Sequence, residues 1–180
     1  MTETWEGLVI VGMGNPLLSD DGVGLHAARA LGRSFPAAAV QTIPMIGMDL
    51  LDLIAGHNSL CLVDAMTSGA VPVGAVTRLQ EPGQGLHIAS SHGPDLHVVL
   101  SLGRSLGLHI PHIILIYGIE IGRNIPYGET LTPGLQAGFN SAIQRIAADM
   151  RETLYGQDPS PISAGALSPA GHADGKARVR

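Results

Sequence analysis

The chain has 180 residues, a formal charge of -5 at neutral pH, 45% hydrophobic residues and only 14% charged ones. That is enough for one domain with a proper core, and an acidic balance without a basic stripe excludes an electrostatic nucleic-acid binder. The only cysteine, Cys61, sits in an apolar run, which excludes an internal disulfide and a cysteine-built zinc centre and fits a cytoplasmic home.

No run of roughly 18 apolar residues marks a membrane span. Met1–Gly7 carries Glu3 and Glu6 and lacks the basic start of a signal peptide. Leu8–Met13 is a continuous apolar run, the pattern of a strand buried on both faces. Val23, Ala27, Ala30 and Leu31 follow at helical spacing. Val40–Ile43 reads as a second strand, and Met48–Ala55 as a short helix closed by Gly56. Ser59–Ala65 is a third strand and Gly74–Leu79 alternates like a fourth. Leu96, Val99, Leu100, Gly103 and Leu106 form a helical stripe, with Asp95 placed to cap it and Gly107 to end it. His112–Ile119 is another buried strand. Thr132–Pro133 pairs an N-cap hydroxyl with proline at the first helical position. Leu135, Phe139, Ala142, Ile143, Ile146 and Met150 then line one face of a long final helix.

This alternation predicts a single three-layer α/β/α domain over residues 1–155. Helices flank both sides of a mostly parallel, twisted sheet of about five strands. Gly156–Arg180 is Pro, Ser, Ala and Gly with almost no large apolar side chains, the composition of a disordered tail.

The chemistry concentrates at strand ends. Gly12–Met13–Gly14–Asn15–Pro16 turns out of the first strand and meets two adjacent carboxylates, Asp20 and Asp21. A glycine turn ahead of a helix often holds a phosphate. Here the acid repels one and a cation is the natural guest. In open α/β sheets, ligands sit outside the carboxyl ends of the strands. Asp64 ends the apolar run Leu60–Val63, and His92 lies in a Gly/Ser-rich stretch before the Asp95 cap. Two carboxylates and an imidazole form a divalent site with open positions. Each piece has a blander reading. Asp20 alone reads equally as a helix cap, Asp64 as a turn former, and His92 has a near rival in His87. Asp21 is the hardest to explain away, since one cap suffices. The backbone of the Gly12–Gly14 turn is a candidate source of oxyanion donors.

With these residues in place, the chain resembles the hydrogenase maturation protease family. The stretch Gly12–Gly24 is similar to that family's signature turn. Leu62–Val63–Asp64–Ala65 resembles the strand that ends in its second acidic ligand. Ser90–Ser91–His92, followed by Leu96 and Leu100, resembles its histidine and following helix. Tyr117–Gly118–Ile119–Glu120 and Leu131–Thr132–Pro133 match its late strand and helix start. Of the glycines usual after the second strand, Pro44–Met45–Ile46–Gly47 keeps only Gly47. The resemblance implies an endopeptidase that removes the C-terminal extension of a nickel-loaded nickel-iron hydrogenase large-subunit precursor. It makes Asp21, Asp64 and His92 the metal ligands. The nickel arrives on the substrate, and zinc or cadmium also suits such a donor set. Asp21 or Asp20 is the candidate general base, unless the metal itself activates water. No nucleic acid or membrane partner is expected.

Three other readings compete. A peptidyl-tRNA hydrolase shares the opening Gly12–Pro16, but the stretch after it is acidic here and no basic cluster lines it. A dinucleotide-binding module needs a third glycine where Leu17 stands. A non-catalytic nickel or precursor chaperone on the same fold is separated only by a cleavage assay.

Overall fold

A computed structural model describes residues 7–79 and 96–156. The elements run β1 (Leu8–Met13), α1 (Val23–Ser34), β2 (Ala39–Ile43), α2 (Asp49–Ile54), β3 (Ser59–Met66), β4 (Val76–Leu79), α3 (Leu96–Ser105), β5 (Ile113–Glu120) and α4 (Pro133–Tyr155). The five strands form one sheet in the order β2-β1-β3-β5-β4. β1, β2, β3 and β5 are parallel, and β4 runs antiparallel along the β5 edge. The expected tail and the Asp95 cap lie outside the described residues.

Two apolar layers sandwich the sheet. Leu8, Ile10, Cys61, Val63, Leu115, Tyr117 and Ile119 meet α1 and α4 on one face. Val9, Val11, Met13, Leu60, Leu62, Ile114 and Ile116 meet α2 and α3 on the other. Strands buried on both sides explain why β1, β3 and β5 read as continuous apolar runs. Local signals set the helix ends. Thr132 caps α4 and Pro133 opens it. α3 ends with Gly107 at φ 73 and bonds from Gly107 N–H to Arg104 C=O and from Leu108 N–H to Gly103 C=O. No described helix is long and apolar enough to cross a membrane.

The strand order reverses direction at β1. β2 lies on one side of it and β3 on the other, so the connections diverge and leave a crevice above the carboxyl ends of β1 and β3. Helix α1 enters that crevice on glycine. A Cβ on Gly24 would collide with the carbonyl oxygens of Met13 and Val63, and one on Gly12 with the carbonyl of Gly24. Both strand ends therefore touch the backbone of the helix start. An alanine normally favours a helix over glycine by roughly 1 kcal/mol. Here Gly24→Ala is expected to reverse the sign and destabilise by roughly 2–4 kcal/mol. Gly122→Ala, where a Cβ meets nothing within 4 Å, is expected to stay within roughly 0.5 kcal/mol of the parent. Urea denaturation of the two variants checks the contrast.

Candidate active site

The site is built on the turn that leaves β1. Asn15 C=O accepts from Leu18 N–H at 3.2 Å with Pro16 between them, and Asn15 Oδ1 accepts from Leu17 N–H at 2.9 Å. The Asn-Pro pair thus folds a tight turn that its own side chain closes. Gly14 follows the strand at φ 137, and a Cβ there would strike the carbonyl oxygen of Asp21. The chain then makes one 3-10 turn, Ser19–Gly22, before α1 begins. This turn replaces the direct helix entry that the sequence suggests, and neither aspartate caps it or α1 through a side chain.

The two adjacent carboxylates part company. Asp20 is buried, and its oxygens accept from Thr132 N–H and Thr132 Oγ–H, both at 2.7 Å. Asp21 is half-buried, and its Oδ2 accepts from Asn15 N–H at 2.8 Å. Successive residues of a 3-10 turn point about 120° apart, so a pair of aspartates serves two directions. One faces the start of α4 and the other the crevice.

Asp64 closes the apolar register of Leu60 and Leu62 in β3, which puts it on the α2–α3 face of the sheet. Its neighbour in β5 is Gly118, which has no side chain to cover it. Asp64 Oδ1 accepts from Ala65 N–H at 2.8 Å, and no described residue bonds to Oδ2. Burial pushes its carboxyl up from 3.8 to about 7; the Ala65 bond opposes this, and the charge of Asp21 adds to it. Asp21, in the 3-10 turn after β1, thus lies near enough for its charge to act on Asp64, far away in sequence near the end of β3. His92 lies outside the described residues. Among the described residues no group of three or more His, Cys, Asp or Glu side chains gathers to hold a metal. Of the expected donor set, only Asp21 and Asp64 lie among the described residues.

The backbone donors considered for the Gly12–Gly14 turn are taken. Gly14 N–H bonds Ile43 C=O at 3.3 Å, Asn15 N–H bonds Asp21, and Gly12 and Met13 lie in the sheet ladder. Two features escaped the sequence reading. One is the Asp20–Thr132 contact, which spans 112 residues and leaves no local signal. The other is Glu120, buried at the end of β5. Its carboxylate accepts from Ser68 N–H and Oγ–H and from Gly69 N–H, and so fixes the loop that follows Asp64. A glutamate ending a buried strand was the available clue.

No protein-family model matches the chain. It is 28% identical over 144 residues to the hydrogenase expression/formation protein HupD of Thiocapsa roseopersicina, covering 76% of this chain and 64% of that protein. The chain thus spans less than two thirds of that relative. It is 27% identical over 152 residues to the hydrogenase 2 maturation protease of Escherichia coli K12, covering 81% of this chain and 92% of that one. A solution structure of an endopeptidase from Escherichia coli matches with a TM-score of 0.65 at 26% identity, covering 81% and 93% of the two chains.

The raised Asp64 carboxyl carries a stability cost. A folded-state value above the unfolded one means that the native state binds the proton more tightly. The stabilisation is therefore full below about pH 4 and is lost as the pH climbs towards 7. Asp64→Asn is expected to gain stability over the metal-free parent between about pH 5 and 8, by on the order of 2 kcal/mol. Urea melts at both ends of that window check it.

Proposed function

We propose, because this chain belongs to the hydrogenase maturation protease family, that it is an endopeptidase working in the cytoplasm on a nickel-iron hydrogenase large-subunit precursor. It removes the precursor's C-terminal extension once nickel is loaded. The observation that supports this reading is Asp64 at the β1–β3 crevice, its carboxyl raised first by burial and further by the nearby charge of Asp21. Two like charges held together in a crevice call for a cation between them.

The nickel belongs to the substrate. A precursor presents it on cysteine thiolates, which hold a late transition metal more tightly than carboxylates and an imidazole do. Asp21, Asp64 and His92 complete its coordination from outside without extracting it. That contact docks the scissile peptide and restricts cleavage to loaded precursor. Zinc or cadmium suits the same donors in a protein without its substrate.

Cleavage needs a water molecule that gives up a proton, attacks the peptide carbonyl carbon and displaces the amide nitrogen. The proton passes to that leaving nitrogen. Asp21 suits the base role: Oδ2 is steadied by Asn15 N–H, and no described residue bonds to Oδ1. Asp20 would first have to leave Thr132. A macromolecular partner also agrees with the exposed apolar side chains on loops leaving the carboxyl ends of the strands. These are Leu17, Met45, Met48, Val71, Val73 and Tyr127.

Mass spectrometry of nickel-loaded precursor, before and after incubation with the protein, is expected to show a single C-terminal fragment released. Asp21→Asn is expected to cut the rate by roughly a hundredfold or more while the fold survives. Equal cleavage of loaded and nickel-free precursor would refute the gate. Binding without cleavage would turn the reading to a chaperone. Nickel binding also requires Asp64 ionised, so the apparent affinity is expected to fall below about pH 7, by up to roughly tenfold per pH unit. Calorimetric titration at several pH values measures that slope.

A further inference from the structure

The turn that carries Asp21 is held in shape by a segment from the far end of the chain. Ser19 sits at φ 34, in the left-handed region that a side chain disfavours. It is kept there by Ser19 N–H on Gly128 C=O and Ser19 Oγ–H on Thr130 C=O, both at 2.6 Å. Gly128 N–H returns a bond to Leu17 C=O at 3.0 Å. Two residues further on, Thr132 grips both oxygens of Asp20. Thr132 is also the N-cap of α4, and its Oγ accepts from Leu135 N–H at 3.4 Å. The buried Asp20 charge therefore rests at the positive end of a 23-residue helix, where it is stabilised.

We infer that Asp20 and Thr132 are a positioning pair, a latch that fixes the rotation of the 3-10 turn and thereby aims Asp21 at Asp64. The inference deepens the proposed peptidase reading and rests on it. Pinning Asp20 in a single turn of 3-10 helix leaves its neighbour one direction to point. Without the latch, Asp21 keeps only its bond to Asn15 N–H, and the left-handed Ser19 loses a neighbouring anchor. Asp20 does no chemistry in this scheme, since both its oxygens already accept. The strap from Gly128 to Thr132 forms part of the site's scaffold although it lies outside the crevice.

Aspartate and threonine variants separate positioning from chemistry. Asp20→Asn keeps the shape of the latch, its amide oxygen accepting from Thr132 N–H and its NH2 group donating to Thr132 Oγ. It is expected to process nickel-loaded precursor within roughly tenfold of the parent. Thr132→Val removes the hydroxyl and is expected to lower kcat by roughly 10- to 100-fold with little change in KM, as small misplacements of catalytic groups do. Thr132→Ser is expected to restore the rate. The opposite pattern, with Asp20→Asn as inactive as Asp21→Asn and Thr132→Val unaffected, would overturn the latch and make Asp20 a catalytic group. Hydrogen exchange reads the same coupling without catalysis. The Asn15 amide proton, held by Asp21, is expected to exchange at least roughly tenfold faster in Thr132→Val and at the parent rate in Thr132→Ser. The Ile146 amide inside α4 is expected to stay protected in both. Unchanged Asn15 exchange in Thr132→Val would overturn the latch even if precursor is cut. A parent protein that leaves loaded precursor uncut would instead overturn the proposed function, and the exchange rates would still decide the latch.

Discussion

The close approach of two backbones at the carboxyl end of β1 sets everything that follows. Gly12 and Gly24 face each other across the strand–helix junction, and Gly14 lies under the carbonyl of Asp21. Any side chain at these points would lift the start of α1 off the sheet. With glycine there, α1 packs down on the ends of β1 and β3, and the acidic turn is carried to the rim of the crevice where the strand order reverses. The same glycine pattern elsewhere cradles a phosphate through free backbone donors. Here the donors are spent on Ile43 and Asp21, and the turn contributes negative charge instead.

Electrostatics then divides the work among the carboxylates. Asp20 has its hydrogen-bonding capacity met by Thr132 N–H and Oγ–H at a helix N-terminus. Glu120 has its own met by the 68–69 backbone and a serine hydroxyl. Asp64 has a single short-range bond, heavy burial and a charged neighbour, and its carboxyl is pushed up to about 7. A protein that carries such a group unpaired loses stability near neutral pH. Under the proposed function, a divalent ion from a partner would remove that cost, so the same arrangement that destabilises the free protein would favour the loaded substrate. Burial and pairing therefore distinguish the hydrogen-bonded structural carboxylates, Asp20 and Glu120, from the candidate site carboxylate Asp64 better than proximity in sequence does.

Much of the scaffold was legible in the residues. Leu8–Met13 is a strand to the residue because a run buried on both faces admits no polar interruption. Thr132–Pro133 and Gly107 fixed helix ends because caps depend on local chemistry. β3 and β5 each extend one residue beyond their expected ends, to Met66 and Glu120, through pairing with each other that no single-strand pattern reveals. The 3-10 turn at Ser19–Gly22 was not legible, since its strained Ser19 is held by bonds to Gly128 and Thr130. Nor was the fate of Asp20. A buried aspartate and a cap look alike in sequence, and the partner lies 112 residues away. The placement of Asp21 after β1 and of Asp64 near the end of β3 follows the rule that puts ligands at strand ends, while His92 falls outside the described residues.

The most direct measurement is a double-mutant cycle on metal binding. Nickel affinity would be measured by calorimetry at about pH 8 for the parent, Asp21→Asn, Asp64→Asn and the double variant. One ion shared by both carboxylates predicts strong non-additivity, each single substitution removing most of the affinity and the second adding little. Independent, additive losses, or an affinity untouched by Asp64→Asn, would show that the two side chains do not act on the same ion.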